Sequence, residues 1–293
     1  MQENSSKPLD GILLEGASED DLGSLLHFRG SLVHDDGILY SPAQFFGRGK
    51  QQSADAATPY LWYRSILQQT LSAEPVLYCH GLHEWAMQYH PVHAPPPPSN
   101  KYQRHLSLRV SRQTINETVE RKGVRCTHVD ALRYFAPAAG PLNHHGAKLN
   151  RMEQLRLEQP ACVHAQMDLL KMTCRLQPFC EAELLQDVLR IVIQARSLDV
   201  AASPYDASSY GIGVVPVETE IGRIEYRKQQ IALMQSAAPI RKRLLEAYDV
   251  FLNLAFDESV LRRADSSPQA ERFAQAEPGG LPWRKNLVAT EGS

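Results

Sequence analysis

The segment YCHGLHEWAMQYH, residues 78–90, sets His80, His83 and Glu84 close together in what reads as a helix. On a helix, positions 80, 83, 84 and 87 share one side, so two imidazoles and a carboxylate can converge on a point. That set suits half of a metal centre or an acid–base pair. The order H-x-x-H-E differs from the H-E-x-x-H of metalloproteases. Gly81 lowers helix propensity by about 1 kcal/mol relative to alanine, which a close approach of backbone or ligand would explain. The competing reading is a packed helix whose histidines are hydrogen-bonded in the core.

Three further segments add groups of the same kind. RCTHVDALRYF places His128 two residues before Asp130, on one side of an extended chain, while Thr127 and Asp130 have the spacing of a helix capping box. We expect Asp130 to cap and His128 to remain a candidate. EQPACVHAQMDLLK sets His164 and Asp168 one helical turn apart, where a carboxylate can fix an imidazole's tautomer and raise its basicity. A weak surface pair is the alternative, but the apolar neighbours Ala161, Val163, Met167 and Leu170 favour a partly buried one. LDVAASPYDASSYG carries Asp199, Tyr205 and Asp206 in a loop of small residues, where Asp206 is either catalytic or a turn former. Cys79, Cys126 and Cys162 sit just ahead of candidate histidines, but residues one or two apart on a helix diverge, so we expect core thiols and not ligands.

Helices must position these groups. EAELLQDVLRIVIQARSLD lines up Leu184, Leu185, Val188, Leu189, Val192 and Ala195 at helical spacing. A second pattern runs from about Glu220 to Phe256, with Pro239 expected to break or kink it into two segments. Pro160 suits the first turn of a helix through His164 and Asp168. Strand signals are weak: RHLSLRV at 104–110 and GVVPVE are the candidates. The expected fold is mainly α, a single helical domain over 21–262 with at most a small β element, a flexible segment at 1–20 and a flexible tail at 263–293. Trp283 in that tail could dock on the core. HAPPPPSN at 93–100 is a polyproline linker of open role that ends whatever helix carries the first motif.

Lysine and arginine total 31 against 33 acidic residues in 293, a net charge of -2, so no global positive field draws the chain to nucleic acid or anionic membrane. A local basic groove stays open. Five cysteines without a C-x-x-C pair, and an opening MQENSSKPLDG without a basic and apolar leader, point to reduced thiols and a cytoplasmic protein. No apolar run has membrane-spanning length. The G-x-S-x-G elbow, the phosphate loop and the G-x-G-x-x-G turn are all missing.

Taken in order, CHGLHEWAMQY, RCTHVDALRYF, LEQPACVHAQMDLLK, LDVAASPYD and VETEIGRIEYRKQQIA resemble a family of proteins catalogued as 3-methyladenine DNA glycosylases, over roughly residues 75–245. The resemblance implies a hydrolase that cleaves an N-glycosidic bond to a damaged base in DNA, without a required cofactor. In that reading Trp85, Tyr134, Tyr205 and Arg223 are candidate substrate contacts, and Asp206, Asp168, Glu84 and His164 are candidates for activating water or stabilising the sugar cation. The residues themselves support another reading: His80, His83 and His128, with Glu84, His164 and Asp168, as inward groups of a helical metal site taking Fe, Mn or Zn and acting on a small molecule. A third is a binding or scaffold protein with structural histidines. The oligomeric state stays open.

Overall fold

The computed structural model describes residues 11–17, 21, 23, 24, 26, 30–46, 53–93, 106–147 and 149–265. The fold is mainly α, with one small antiparallel sheet. Its residues group into two compact units, one of Met1–Ser65, Arg175–Ala182 and Leu244–Ser293, the other of Ile66–Cys174 and Glu183–Arg243.

The first unit holds the sheet, β1 (Ile12–Glu15), β2 (Ser31–His34) and β3 (Gly37–Tyr40), in the order β1-β3-β2. Both outer strands pair antiparallel with β3, where Leu39 faces Leu13 on one side and Leu32 on the other. The β element therefore lies at the start of the chain, and β1 falls inside the stretch expected to be flexible. The core of this unit is aromatic: Phe251 lies 4.7 Å from Tyr60 and 5.3 Å from Phe179, ring to ring. Arg175 caps the Tyr60 ring at 5.1 Å.

The second unit carries every sequence motif. Its elements include α2 (Leu82–Gln88), α3 (Arg112–Lys122), α4 (Val129–Leu132), α5 (Arg151–Leu157), α6 (Val163–Leu176) and α7 (Ala182–Ala201), which follow α1 (Ala54–Ser72) and precede α8 (Glu220–Ala255) and α9 (Glu258–Asp265). The helix α8 runs unbroken through Pro239, so the expected break does not occur. Proline removes one backbone donor and crowds the preceding turn, and the rest of a 36-residue ladder offsets one lost bond. The stripe of α7 is narrower than its periodicity suggested: Leu184, Val188, Ile191, Ala195, Leu198 and Asp199 are buried, and Leu189 is exposed. Of the expected strand at 104–110, residues 104 and 105 lie outside the described set and only Leu108 bridges, antiparallel, to Tyr205. The GVVPVE segment forms no strand. The proline run at 94–100 and Trp283 also lie outside the described residues.

That bridge fixes the loop after α7. The Arg109 backbone N–H donates to the Pro204 carbonyl at 2.9 Å, its Nε donates to the Ser203 carbonyl at 3.0 Å, and its two Nη atoms donate to the Glu218 carboxylate at 2.7 and 2.9 Å. A bidentate, partly buried pair is worth roughly 1.5–3 kcal/mol. Burial works to raise the Glu218 pKa, but Arg109 outweighs it and holds the carboxyl below its usual range. A carboxyl depressed on folding contributes stability above its unfolded pKa and loses it as pH falls through the folded one. Glu218→Gln should therefore cost stability at neutral pH, with the difference from wild type shrinking in acid, as urea titrations at neutral and low pH would measure. An equal cost at both would sink this account.

Candidate functional site

The first motif turns more sharply than a continuous helix would. His80 and Gly81 both take left-handed backbone conformations, at φ 48° and 68°, and α2 begins only at Leu82. A Cβ on Gly81 would stand 3.2 Å from the Ala202 Cβ and 3.4 Å from the Tyr226 ring, so the close approach inferred from sequence is of protein against protein. The turn separates His80 from His83 and Glu84, which corrects the one-sided arrangement expected for a helix through all three. Two bonds then seat α2 on the loop after α7: Trp85 Nε1 donates to the Ala202 carbonyl and Gln88 Nε2 to the Tyr205 hydroxyl, both at 2.8 Å.

Seated in this way, α2 directs His83 and Glu84 into the interior of the unit. The buried His83 Nε2 stands 2.8 Å from Asp199 Oδ1, on α7, and 4.0 Å from Glu84 Oε1. The His83 and Asp199 atoms are close enough for an ion pair, yet neither has a hydrogen-bond partner of proper geometry; the Glu84 Oε2 is equally buried and unpartnered. From α6, His164 brings its ring to 4.4 Å from that of His83 and stacks at 4.7 Å on that of His128, the residue that caps α4. His83, His164 and Asp199 each offer a ligand atom, all within 4.8 Å of one another, the one such group of three among the described residues.

An outer layer of charge supports these groups. His128 Nε2 lies 3.3 Å from Asp168 Oδ2, which also accepts from Lys171 Nζ at 2.6 Å. Asp130, expected to cap its own helix, instead accepts two bonds from Arg151 at 2.8 and 3.1 Å. The capping reading fails because an arginine from α5 offers a charged, two-pronged partner, and the His128 side chain makes no cap either. His164 and Asp168 do not pair with each other: Asp168 serves His128. Asp199 Oδ2 accepts from Arg196 Nη1 at 2.8 Å.

The electrostatics divide these imidazoles into two kinds. Burial, reinforced by His83 and His128, holds His164 well below the usual range and keeps it neutral, the state a metal ligand requires. Burial also works to depress His83 and His128, but Asp199 outweighs it for the first and Asp168 for the second, and both are raised. Glu84 is pushed up to about 7, by burial first and then by Asp199, with His83 opposing. Asp199 and Asp168 are held well below the usual carboxylate range despite burial, the first chiefly by His83, the second by Lys171 and His128.

Of these groups Glu84, His128 and His164 open onto a pocket of about 220 Å³, which Asp130, Tyr134 and Arg196 also line, with Met87 and Ala131 as its apolar wall, while His83 and Asp199 lie outside its lining. Behind the imidazoles, Cys79, Cys126 and Cys162 help line a void of about 10 Å³, room for one water at most. Burial raises all three thiols, so they remain protonated core groups, as the spacing suggested.

The remaining candidates fall elsewhere. Asp206 is fully exposed and accepts a bond from the Ser208 backbone N–H at 3.0 Å, so it shapes a turn and does not line the pocket. Trp85 is wholly buried and leaves no face for a base to stack on, and the buried Tyr205 is tied to Gln88. Arg223 donates to the Val217 and Glu218 carbonyls, outside the pocket lining. His80 contacts Tyr226 instead of the other histidines, and is pushed down to about 4 by burial and by the cations Arg227, Arg223, Lys122 and Arg125.

Sequence reasoning placed Asp199 in a loop; it lies inside α7 and supplies the carboxylate nearest His83. Its position four residues after Ala195, on the buried stripe, was the available signal, because a carboxylate on an apolar face needs a partner. Arg196, Lys171 and Glu158 were missed too. Glu158 is buried just past α5, raised by burial, and holds one oxygen on Gln154 Nε2 at 2.9 Å. No protein-family model, no curated protein and no solved structure matches the chain.

Proposed function

We propose that the protein is a metal-dependent hydrolase acting on a small molecule, with His83, His164 and Asp199 as ligands to a first-row divalent ion and Glu84 as the proton-transferring group. The observation that carries this reading is the buried pairing of His83 Nε2 with Asp199 Oδ1 at 2.8 Å, with a neutral His164 whose ligand atom lies within 4.8 Å of both. Two polar atoms held this close inside a protein lose much of their hydration, and an ion bound by both, to one side of the pair at about 2.0–2.2 Å from each, would compensate it.

Two imidazoles and a carboxylate leave coordination positions open for a water and a substrate atom, and the set suits zinc or iron better than magnesium. A bound ion there would supply Lewis-acid chemistry. Glu84 lines the pocket together with His164, with an oxygen bonded to nothing, and can take a proton from the attacking water and return it to the leaving group. Asp168 orients His128, which lines the same pocket and can donate to a developing anion. Arg196 and Tyr134 are the substrate contacts we infer, and the pocket volume suits one small molecule or a single base.

Hydrolysis of the N-glycosidic bond of a damaged base, which the sequence resemblance suggests, draws support from Tyr134, Glu84 and His164 on the pocket wall and none from Asp206 or Trp85. The five free thiols favour a reducing compartment, the cytoplasm. Among the described residues no helix is long and apolar enough to cross a membrane. Elemental analysis of purified protein tests the central claim: we expect close to one equivalent of zinc, iron or manganese, lost in His83→Ala and in His164→Ala. Metal-free protein that takes up no ion on exposure to these salts would refute it.

A further inference from the structure

A second group of unspent polar atoms lies on the other motif residues of the same unit. Tyr78 is 59% exposed, and the guanidinium carbons of Arg125 and Arg227 each lie 5.9 Å from its ring centroid. Arg125, Arg227 and Lys122 have no carboxylate partner among the described residues. The Nε of Arg227 is buried without a hydrogen bond, and so is Nε2 of His80, a residue only 8% exposed. Arg227, Arg223, Lys122 and Arg125 all project their field onto His80.

Like charges gathered in this way repel one another, and in a chain of net charge -2 they could have been neutralised by carboxylates. Elsewhere in the unit they are: Arg109 has Glu218, Arg151 has Asp130 and Arg243 has Asp187. Here the cations are held by an aromatic ring, which orients guanidinium groups without cancelling their charge or occupying their donors. A planar fork with free N–H groups, doubled on one ring, matches the oxygens of a phosphate.

We propose that Tyr78, Arg125, Arg227 and His80 form a phosphate-binding site, separate from the histidine pocket, with which it shares no lining residue. The ligand is a phosphate carried either by a small molecule or by the backbone of a single-stranded nucleic acid. Lys122 adds to the positive field at His80. The site does not depend on the proposed metal chemistry.

The test uses the full chain, with inorganic phosphate, adenosine monophosphate and an oligothymidylate of about ten nucleotides as probes, followed by calorimetry and by the imidazole NMR signals. We expect at least one probe to bind, to move the His80 signals, and to lose about tenfold or more in affinity in Arg125→Glu and in the Arg125→Ala/Arg227→Gln pair, given the strength of charge-assisted bonds. Monophosphates binding as well as the oligonucleotide identify a small-molecule phosphate. Tighter oligonucleotide binding that weakens steeply between about 50 and 200 mM salt identifies the nucleic-acid backbone. Arg125 is exposed, so Arg125→Glu should fold as wild type, which circular dichroism checks. The proposal is overturned if none of the probes moves the His80 signals, or if folded Arg125→Glu binds as wild type does.

Discussion

Glu84→Gln protein should retain its metal and lose turnover, whereas Asp199→Asn should lose both. The two variants separate what an ion needs to bind from what a reaction needs to proceed. Asp199 stands 2.8 Å from His83 Nε2 and is wholly buried, so it supplies the negative charge that a divalent ion requires beside the neutral His164 and a His83 that gives up its proton on binding. Its amide analogue keeps the shape and removes the charge, and we expect metal content to fall to background. Glu84 Oε1 is 4.0 Å from the same nitrogen, and Oε2 has no partner. Gln at this position preserves volume and cannot accept a proton, which for general acid–base catalysis costs about 10²–10⁴ in rate. Stability gives an independent readout: an ion bound at about a hundred times its dissociation constant stabilises by about 2.7 kcal/mol, or roughly 5–10 °C in Tm for a chain of this order. A chelator should then lower the Tm of wild type and of Glu84→Gln, and leave Asp199→Asn unmoved. Equal chelator shifts in all three would rule out Asp199 as a ligand.

The helical class was legible because period and length are local properties of a sequence: α6 and α7 appear where their apolar spacing puts them. The elements that failed depend on information that spacing does not carry. The interruption at His80 and Gly81 sits where Ala202 and Tyr226, more than a hundred residues away, leave little room for a Cβ on Gly81. The partner of Asp130 is Arg151 on another helix, which no capping pattern can reveal. Much of the candidate site was visible as residue types, since His83, Glu84, His128, His164 and Asp168 were each singled out. Their pairing was not. His164 was matched with Asp168 by helical spacing, yet the fold gives Asp168 to His128 and leaves His164 between two rings. The residue that completes the triad, Asp199, was assigned to the loop of small residues after the apolar helix, whereas it is the carboxylate on the buried stripe of that helix.

A buried arginine behind the site should govern how firmly α6 is held, and Gln166→Leu is the sharpest probe of it. Arg241 is 1% exposed; its Nη2 donates to Gln166 Oε1 at 2.6 Å and to the Ala165 carbonyl at 3.2 Å, and its Nη1 has no partner. Burial pushes its pKa down to about 10, partly offset by Glu158 and Cys162, so at neutral pH the charge remains and rests on neutral acceptors. Removing the Gln166 oxygen leaves that charge only the Ala165 carbonyl, and losing a hydrogen bond to a buried charge costs about 1.5–3 kcal/mol. It also releases the Pro160 carbonyl, to which Gln166 Nε2 donates, at the turn that leads into His164. We therefore expect Gln166→Leu to be severely destabilised and to weaken metal binding. Arg241→Met alone should cost less, because it removes the charge together with its need for acceptors and fills similar volume. Combining the two should recover stability relative to Gln166→Leu, a coupling of about 1–3 kcal/mol in a double-mutant cycle followed by urea denaturation. Additive costs would mean that Arg241 finds its solvation elsewhere, and that Gln166 holds α6 through the Pro160 carbonyl alone.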